Sequence, residues 1–220
     1  MAHTDVYVGN QKLAHISEVA KIADDPAGLV IWAKNNTKEY CDRVMLDSQN
    51  KGKEMHGLFE DIIRGKQQTP PKTRADYFRA FNHFCIARRL VPSPKYLEYA
   101  VMDKVAGYAG HLDNFDEVNN IMLDWKVTSG IRTSNLVQAA GYAQALKVQN
   151  GIETKTLLIA RFFDQEKPTF VNEVKKLKHT TRYSFEGCSV GVEVKETDKV
   201  AAIITVFNHC LSIYNYRKGI

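Results

Sequence analysis

The spacing of the apolar residues changes at Pro92 and Pro94. Upstream they recur every three to four residues; from residue 95 the period changes, and over 96–127 they alternate. The two periods bury different faces, so a segment built for one cannot serve as the other. The chain must therefore fold as a helical N-terminal half followed by a sheet-forming half. Upstream, the pattern predicts helices at about 17–23, 27–49, 51–65 and 74–89, with Pro70 and Pro71 separating the last two. Ahead of these, Val6-Tyr7-Val8 and Leu13-Ala14-His15-Ile16 flank Gly9-Asn10 as a short hairpin would. Downstream, strands are expected at 96–105, 107–115 and 120–127, with a turn at 116–119. A helix follows at 134–148, with Ser134 placed to cap it. The near-continuous apolar run 156–163 reads as a central strand. Residues 168–178 read as helix and 188–195 as strand. The closing segment 198–217 is an amphipathic helix with Val200, Ile203, Ile204, Phe207, Leu211 and Tyr214 on one face. The order implies an α/β layered fold.

With 220 residues, 44% apolar, and no linker, low-complexity tract or repeat, the chain reads as one domain over 1–220. Its helical part spans about 17–90, its core about 95–165, and further elements 166–220. Residues 1–5 show no secretory or mitochondrial signal, and the apolar runs are too short to span a membrane. An intracellular, cytoplasmic protein without a membrane partner is expected. Cys41, Cys85, Cys188 and Cys210 form no C-x-x-C unit, so a zinc site has little support, and thiols of a reducing compartment are expected. The net charge is +5, and its distribution is uneven. Residues 51–100 hold ten Lys/Arg against five Asp/Glu, whereas 103–126 hold five Asp/Glu against two Lys. An acidic centre flanked by basic segments suits a metal site inside a phosphate-binding surface, although most charge clusters are solvated faces.

The segment 98–142 carries the chemistry. In Ile121-Met122-Leu123-Asp124-Trp125-Lys126-Val127, alternation places Ile121, Leu123, Trp125 and Val127 on one face and Met122, Asp124 and Lys126 on the other. A carboxylate and an ammonium thus stand side by side on a strand whose opposite face is apolar. The preceding strand, Gly110-His111-Leu112-Asp113, brings a second carboxylate, and a short turn lets Asp113 and Asp124 approach one cation. Crowded carboxylates repel, and a divalent ion relieves that cost. Oxygen donors with room for water suit Mg²⁺ or Mn²⁺, which polarises a phosphoryl oxygen and acidifies water. Lys126 could hold that water or stabilise developing charge. Taken alone, Asp-x-Lys reads more readily as an exposed ion pair on an edge strand. Its surroundings shift that reading. Gln138 and Tyr142, four apart, share a face of the next helix, and Ala139-Ala140-Gly141 lets that helix pack closely on the sheet.

Read together, Glu98, Gly110-x-x-Asp113, Leu123-Asp124-Trp125-Lys126-Val127-Thr128-Ser129 and Gln138-x-x-x-Tyr142 resemble the RecB-like exonucleases of the PD-(D/E)XK nuclease superfamily. The resemblance is nearest to the branch that contains the mitochondrial genome maintenance exonuclease and phage relatives. That branch carries a similar Glu, Gly-x-x-Asp, Ile/Leu-Asp-Trp-Lys-Thr-Ser and Gln-x-x-x-Tyr at much the same spacings. Gly52-Lys53-Glu54-Met55-His56-Gly57-Leu58-Phe59-Glu60 resembles the family's helix in which a glycine precedes a metal-binding histidine. The likeness covers roughly residues 50–165; the first 45 and last 50 residues fit only as elements of compatible type.

The resemblance implies a restriction-endonuclease-like core, a mixed central sheet flanked by helices, beside the helical N-terminal half. It implies Mg²⁺ or Mn²⁺ held by Asp113, Asp124, the Trp125 backbone carbonyl and His56. Lys126 would be the catalytic lysine, Gln138 would orient it, Tyr142 would touch a phosphate, and Glu98 would support the site or a second metal. The implied partner and substrate is DNA, single-stranded or at its ends, cut by an exonuclease of phage or bacterial kind acting in replication, recombination or repair. Relatives with an iron–sulfur cluster carry one early cysteine and a tight late trio. Cys188 and Cys210 lie 22 residues apart, so no such cluster is expected. No helicase motif is present.

Two alternatives share these residues: a structure-specific endonuclease, and a catalytically degenerate nucleic-acid-binding module. Phe59, Tyr77, Phe78, Phe81 and Phe84, interleaved with Arg64, Arg74, Arg79, Arg88 and Arg89, fit a strand-threading arch over the site. At helical spacing the same aromatics also fit the core of a helical layer. His15, His83, His179 and His209 have no motif partners and receive no role.

Overall fold

A computed structural model describes residues 6–8 and 11–219. Strands β1 (Tyr7–Val8) and β2 (Gln11–Lys12) pair antiparallel, so the second arm is residues 11–12 and not the expected 13–16, of which Ala14 and His15 pair with Tyr108 and Ala109 in another sheet; Gly9-Asn10 lies outside the described residues. Strand β3 (Ala14–His15) leads into α1 (Ile16–Ala20) and a 3₁₀ turn at Lys21–Ala23. Helices α2 (Ala27–Lys34), α3 (Lys38–Ile63) and α4 (Ala75–Arg88) follow. Then come β4 (Tyr99–Asp103), β5 (Tyr108–Leu112), β6 (Asn114–Asp116) and β7 (Ile121–Lys126). The chain closes with α5 (Thr133–Asn150), β8 (Thr156–Asp164), β9 (Glu173–Lys176), β10 (Thr181–Ser184), β11 (Val190–Thr197) and α6 (Val200–Lys218).

The α/β expectation holds at the level of layers: helices flank two mixed sheets. The larger has the order β6-β7-β8-β11-β10-β9, with only β7 and β8 parallel. Strand β8 is central, as its apolar run requires. The smaller has the order β3-β5-β4. Two cores result. One packs α1, α5 and α6 against Tyr108, Leu112, Met122, Leu157 and Ile159. The other packs Met55 and Phe59 of α3 and Tyr77, Phe81 and Phe84 of α4 against Leu123, Trp125, Leu158, Phe162 and Val192. No helix among the described residues is long and apolar enough to cross a membrane.

Several elements differ from expectation. The helix break falls at 35–37 and not near residue 50, because Thr37 caps α3 by accepting the Tyr40 N–H at 3.3 Å. The anticipated strand 107–115 is two strands in different sheets, with Asp113 at the crossing. Glu98 precedes β4 and is not on it; its backbone is left-handed at φ 51. Residues 168–178 are not helical: β9 pairs with β10 across a turn closed by Leu177 N–H to the Thr180 carbonyl at 2.8 Å. The three-residue spacing of Val171, Val174 and Leu177 imitated a helix stripe, but those side chains are exposed at a sheet edge. Ser134 does not cap α5. Its N–H and hydroxyl both donate to the Asp24 carboxylate, at 2.9 and 2.7 Å, so the helix start is tied to the segment after α1.

The aromatics proposed for an arch are core. Phe59, Tyr77, Phe81 and Phe84 are buried, with Phe59 and Phe81 stacked at 4.5 Å, so they present no face to a base; Phe78 is half-buried. Helices α3 and α4 back the sheet from the Trp125 side, opposite Asp124 and Lys126. Part of the acidic centre is also structural. Asp116 accepts the N–H groups of Val91, Val118 and Asn119, and Asp103 those of Val105 and Ala106.

A buried amide holds the approach to the site. Asn114, fully buried, accepts the Ser93 N–H and donates to the Ser93 carbonyl, both at 2.9 Å, which fixes the loop leading to Glu98. Replacing it with alanine leaves two buried backbone groups unpaired. Asn114→Ala should therefore cost on the order of 2–4 kcal/mol, read as a lowered denaturation midpoint with unchanged slope. A loss under about 0.5 kcal/mol would show that water replaces the amide.

Candidate active site

Strand β6 pairs with β7 only as far as Asn114↔Leu123, so the Trp125 peptide passes the end of the ladder. Its groups would be orphans on that side, and two side chains take them. The Trp125 N–H donates to Asp113 Oδ2 at 2.7 Å, and the Trp125 carbonyl accepts from His56 Nε2 at 3.1 Å. With Nε2 carrying that proton, His56 turns Nδ1 toward Glu98 and Asp113, 3.9 Å from a carboxylate oxygen of each. One ligand atom each from His56, Glu98 and Asp113 all lie within 4.8 Å of one another. Glu98 reaches the cluster because its left-handed backbone turns the chain there, with its N–H on the Asp113 carbonyl at 3.2 Å. A non-glycine residue in that region costs on the order of 1–3 kcal/mol and is characteristic of functional sites.

Asp124 and Lys126 occupy the face of β7 that alternation assigned them. The Lys126 ammonium donates to Asp124 Oδ1 at 2.7 Å, and the carboxylate is 1% exposed. Its second oxygen, Oδ2, is buried without a hydrogen-bond partner among the described residues. A buried carboxylate oxygen left bare is costly and is a cation's natural ligand.

Tyr142 and Gln138 sit behind this pair. The Gln138 amide donates to the Tyr142 hydroxyl at 2.7 Å, where a bond from Gln138 to Lys126 was expected. Tyr142 is 3% exposed, which does not fit a contact with incoming phosphate. Its ring lies on Gly110: a Cβ there would stand 2.7 Å from Tyr142 Cε1. The glycine of Gly110-x-x-Asp113 is thus required by the tyrosine of Gln138-x-x-x-Tyr142. Gly141 serves a different contact from the one expected. A Cβ on it would meet Phe207 at 2.6 Å and Ile16 at 2.8 Å, so the small residues admit α6 and α1 as well as the sheet.

The electrostatics point one way. Burial, and then the Asp113 charge, push the Asp124 carboxyl up to about 6 against the pull of Lys126. Burial disfavours the Lys126 ammonium, yet Asp124, Asp113 and Glu98 outweigh it and hold its pKa above the ordinary value. His56 behaves likewise: burial opposes its charge, and Asp113 and Glu98 prevail. The Tyr142 hydroxyl is raised by burial and by the same carboxylates. Glu60, one turn beyond His56, is raised by burial and by Glu98. The cluster is short of positive charge.

The structure therefore brings together Asp113, Asp124, Lys126, His56, Glu98 and the Trp125 carbonyl, with Gln138 and Tyr142 packed behind them. It groups Glu98 with Asp113 and His56 more tightly than the expected Asp113–Asp124 pair. Glu60 was not singled out from the sequence, although its place four residues after His56 signals it. No protein-family model matches the chain, and no curated protein matches it.

The Gly110–Tyr142 contact is testable by itself. Gly110→Ala should cost about 1–3 kcal/mol through overpacking. Combined with Tyr142→Leu, the double variant should lose about 1 kcal/mol less than the sum of the single losses, as expected for residues in contact. Strict additivity of the two in chemical denaturation would remove this account of the glycine.

Proposed function

We propose that the chain is a metal-dependent deoxyribonuclease with a restriction-endonuclease-like core, acting as an exonuclease on single-stranded DNA or DNA ends. The observation that carries the reading is the bare, buried Oδ2 of Asp124 beside the His56–Glu98–Asp113 cluster, with Lys126 on the same strand face. Carboxylate oxygens with one imidazole and one backbone carbonyl suit a hard divalent ion such as Mg²⁺ or Mn²⁺. Asp113, Asp124, His56 and the Trp125 carbonyl, with Glu98 beside them, would hold it. The carbonyl has a second lone pair beyond the one given to His56.

A divalent cation held there supplies Lewis-acid polarisation of a phosphoryl oxygen and acidifies water. The chain's own residues do the rest. Asp113 fixes the Trp125 peptide, so the carbonyl and both carboxylates keep their spacing. Lys126, whose pKa the three carboxylates hold above the ordinary value before any metal binds, would serve as a hydrogen-bond donor to an oxygen on which charge develops. Asp124 anchors that ammonium at 2.7 Å. The exonuclease form rests on the family resemblance. An arch of stacking aromatics no longer supports it, since those rings are core.

Digestion of end-labelled DNA tests both levels. Linear single-stranded DNA should be shortened in Mg²⁺ or Mn²⁺ and left intact in EDTA or Ca²⁺. Lys126→Ala should lose at least a hundredfold in rate while retaining DNA affinity within about threefold, as expected for an electrostatic contribution realised in the transition state. Cleavage in metal-free buffer, or a Lys126→Ala variant as fast as its parent, would end the nuclease reading. Rapid cutting of closed circular single-stranded DNA would replace exonuclease with endonuclease and leave the site unchanged.

A further inference from the structure

The cross-strand register joins Lys126 to a row of charges that the site does not use. Lys126 pairs with Arg161 on β8, Arg161 with Glu193 on β11, Glu193 with Arg182 on β10, and Arg182 with Lys175 on β9. Cross-strand partners point to the same side of a sheet. Five charged residues on five adjacent strands therefore line the face that bears Asp124 and Lys126, four of them cations and one an anion. At about 4.8 Å per strand the row extends about 19 Å from Lys126. A nucleic-acid strand advances about 3.4 Å per nucleotide when stacked and more when extended, so the row covers on the order of three to five nucleotides.

The row is built, and it is short of acceptors. Arg161 is committed: it donates to the Thr128 carbonyl at 2.8 Å and to Glu193 at 2.6 Å. The other oxygen of Glu193 accepts the Thr180 hydroxyl at 2.8 Å. Arg182 has no carboxylate partner among the described residues, and its Nε is buried without an acceptor. Beside it, Phe163 gathers both guanidinium groups, with Arg161 at 4.6 Å and Arg182 at 5.0 Å from the ring centre. Gly191 makes room for this. A Cβ there would stand 2.7 Å from Phe163 and 2.9 Å from Gln165 Nε2, a second buried donor without a partner. The guanidinium of Arg182, with its orphaned Nε, and the orphaned amide of Gln165 both lie by Phe163 and Gly191, and an anion would satisfy them.

We propose that the row from Lys126 to Lys175 is a phosphate track, along which one nucleic-acid strand leads away from the active site, with Arg182 and Gln165 donating to a phosphate. This rests on the nuclease reading for its direction but not for its chemistry. Six of the ten cations in 51–100 have carboxylate partners within the chain, namely Lys51, Arg64, Arg74, Arg79, Arg88 and Lys95, and α3 and α4 pack on the opposite face of the sheet. The track is thus drawn across the sheet and not along α3 and α4.

The test is the salt dependence of binding to a fluorescein-labelled single-stranded oligonucleotide in Ca²⁺, with cleavage of the same oligonucleotide in Mg²⁺ measured alongside. Arg182→Gln should weaken binding about tenfold, and it and Lys175→Gln should each lower the slope of log K against log salt by about 0.7. Gln165→Glu, which sets a carboxylate where the phosphate lies, should weaken binding more than Gln165→Leu. Glu193→Gln should tighten it, because the one anion of the row is removed. If variants that melt at the parental temperature keep the parental slope and affinity, the track is overturned, whether or not the parent cuts DNA. If the slopes fall as stated but no metal restores cleavage, the track stands and the nuclease reading fails. A parent that neither binds nor cuts removes both.

Discussion

The peptide of Trp125 is where the architecture becomes a site. A backbone N–H and C=O at the end of a ladder must find partners when the neighbouring strand leaves, because orphaned buried groups cost kilocalories. Here the neighbouring strand begins late because the chain crosses from the three-stranded sheet to the six-stranded one at Asp113. The residue at the crossing supplies the acceptor for the N–H, and a histidine from α3 supplies the donor for the carbonyl. Both side chains are thereby fixed with their other polar atoms facing one point, and Glu98 completes the group through a backbone bond to the same Asp113. A break in sheet pairing has been filled by polar side chains whose remaining atoms converge.

That arrangement leaves carboxylates facing too little positive charge. Lys126 and His56 are the cations among them, and His56 is charged only when protonated. Every resolved shift in the group is upward, for acids and bases alike. Burial alone would raise the acids and lower the bases. A raised Lys126 and a raised His56 therefore register the surplus of negative charge specifically. The scaffold beneath is closely packed: Trp125 packs edge-on against Phe81 at 5.3 Å, and Tyr142 lies against Gly110.

The sequence disclosed what depends on one strand or one helix and concealed what depends on how strands meet. Alternation placed Asp124 and Lys126 opposite Trp125 correctly, and the i, i+4 spacing placed Gln138 beside Tyr142. The split of 107–115 between two sheets was hidden, because the residues on both sides of Asp113 have strand character. Only the tertiary crossing distinguishes one strand from two. The left-handed turn at Glu98 was hidden for the opposite reason: glutamate carries no turn signal, and the conformation is imposed by Asn114 holding Ser93 upstream. The exposed edge strand β9 was misread because pairing with β10 overrides a weak helical stripe. The aromatics of α3 and α4 were ambiguous at the sequence level, since the same spacing serves a stacking platform and a core, and burial alone separates them.

The same logic separates the positive charge that is visible in the sequence from the positive charge that strand register assembles. Lysines and arginines clustered in sequence lie along helices, where carboxylates one turn away or on the adjoining sheet neutralise them, as Glu60 does Arg64 and Glu196 does Arg88. Arg182 and Lys175 have no such partner among the described residues, and together with Arg161, which Glu193 holds, they are scattered over β10, β9 and β8, where no window of sequence shows them as a group. They become neighbours only through strand register, in a sheet where a shift of one residue would turn each of them to the opposite face. Register is fixed by the apolar side: Ala160, Phe162, Val192, Val194 and Tyr183 must face α3 and α4 to bury their surface. The core packing that hides Trp125 on one face is therefore what aligns Lys126, Arg161, Glu193, Arg182 and Lys175 on the other.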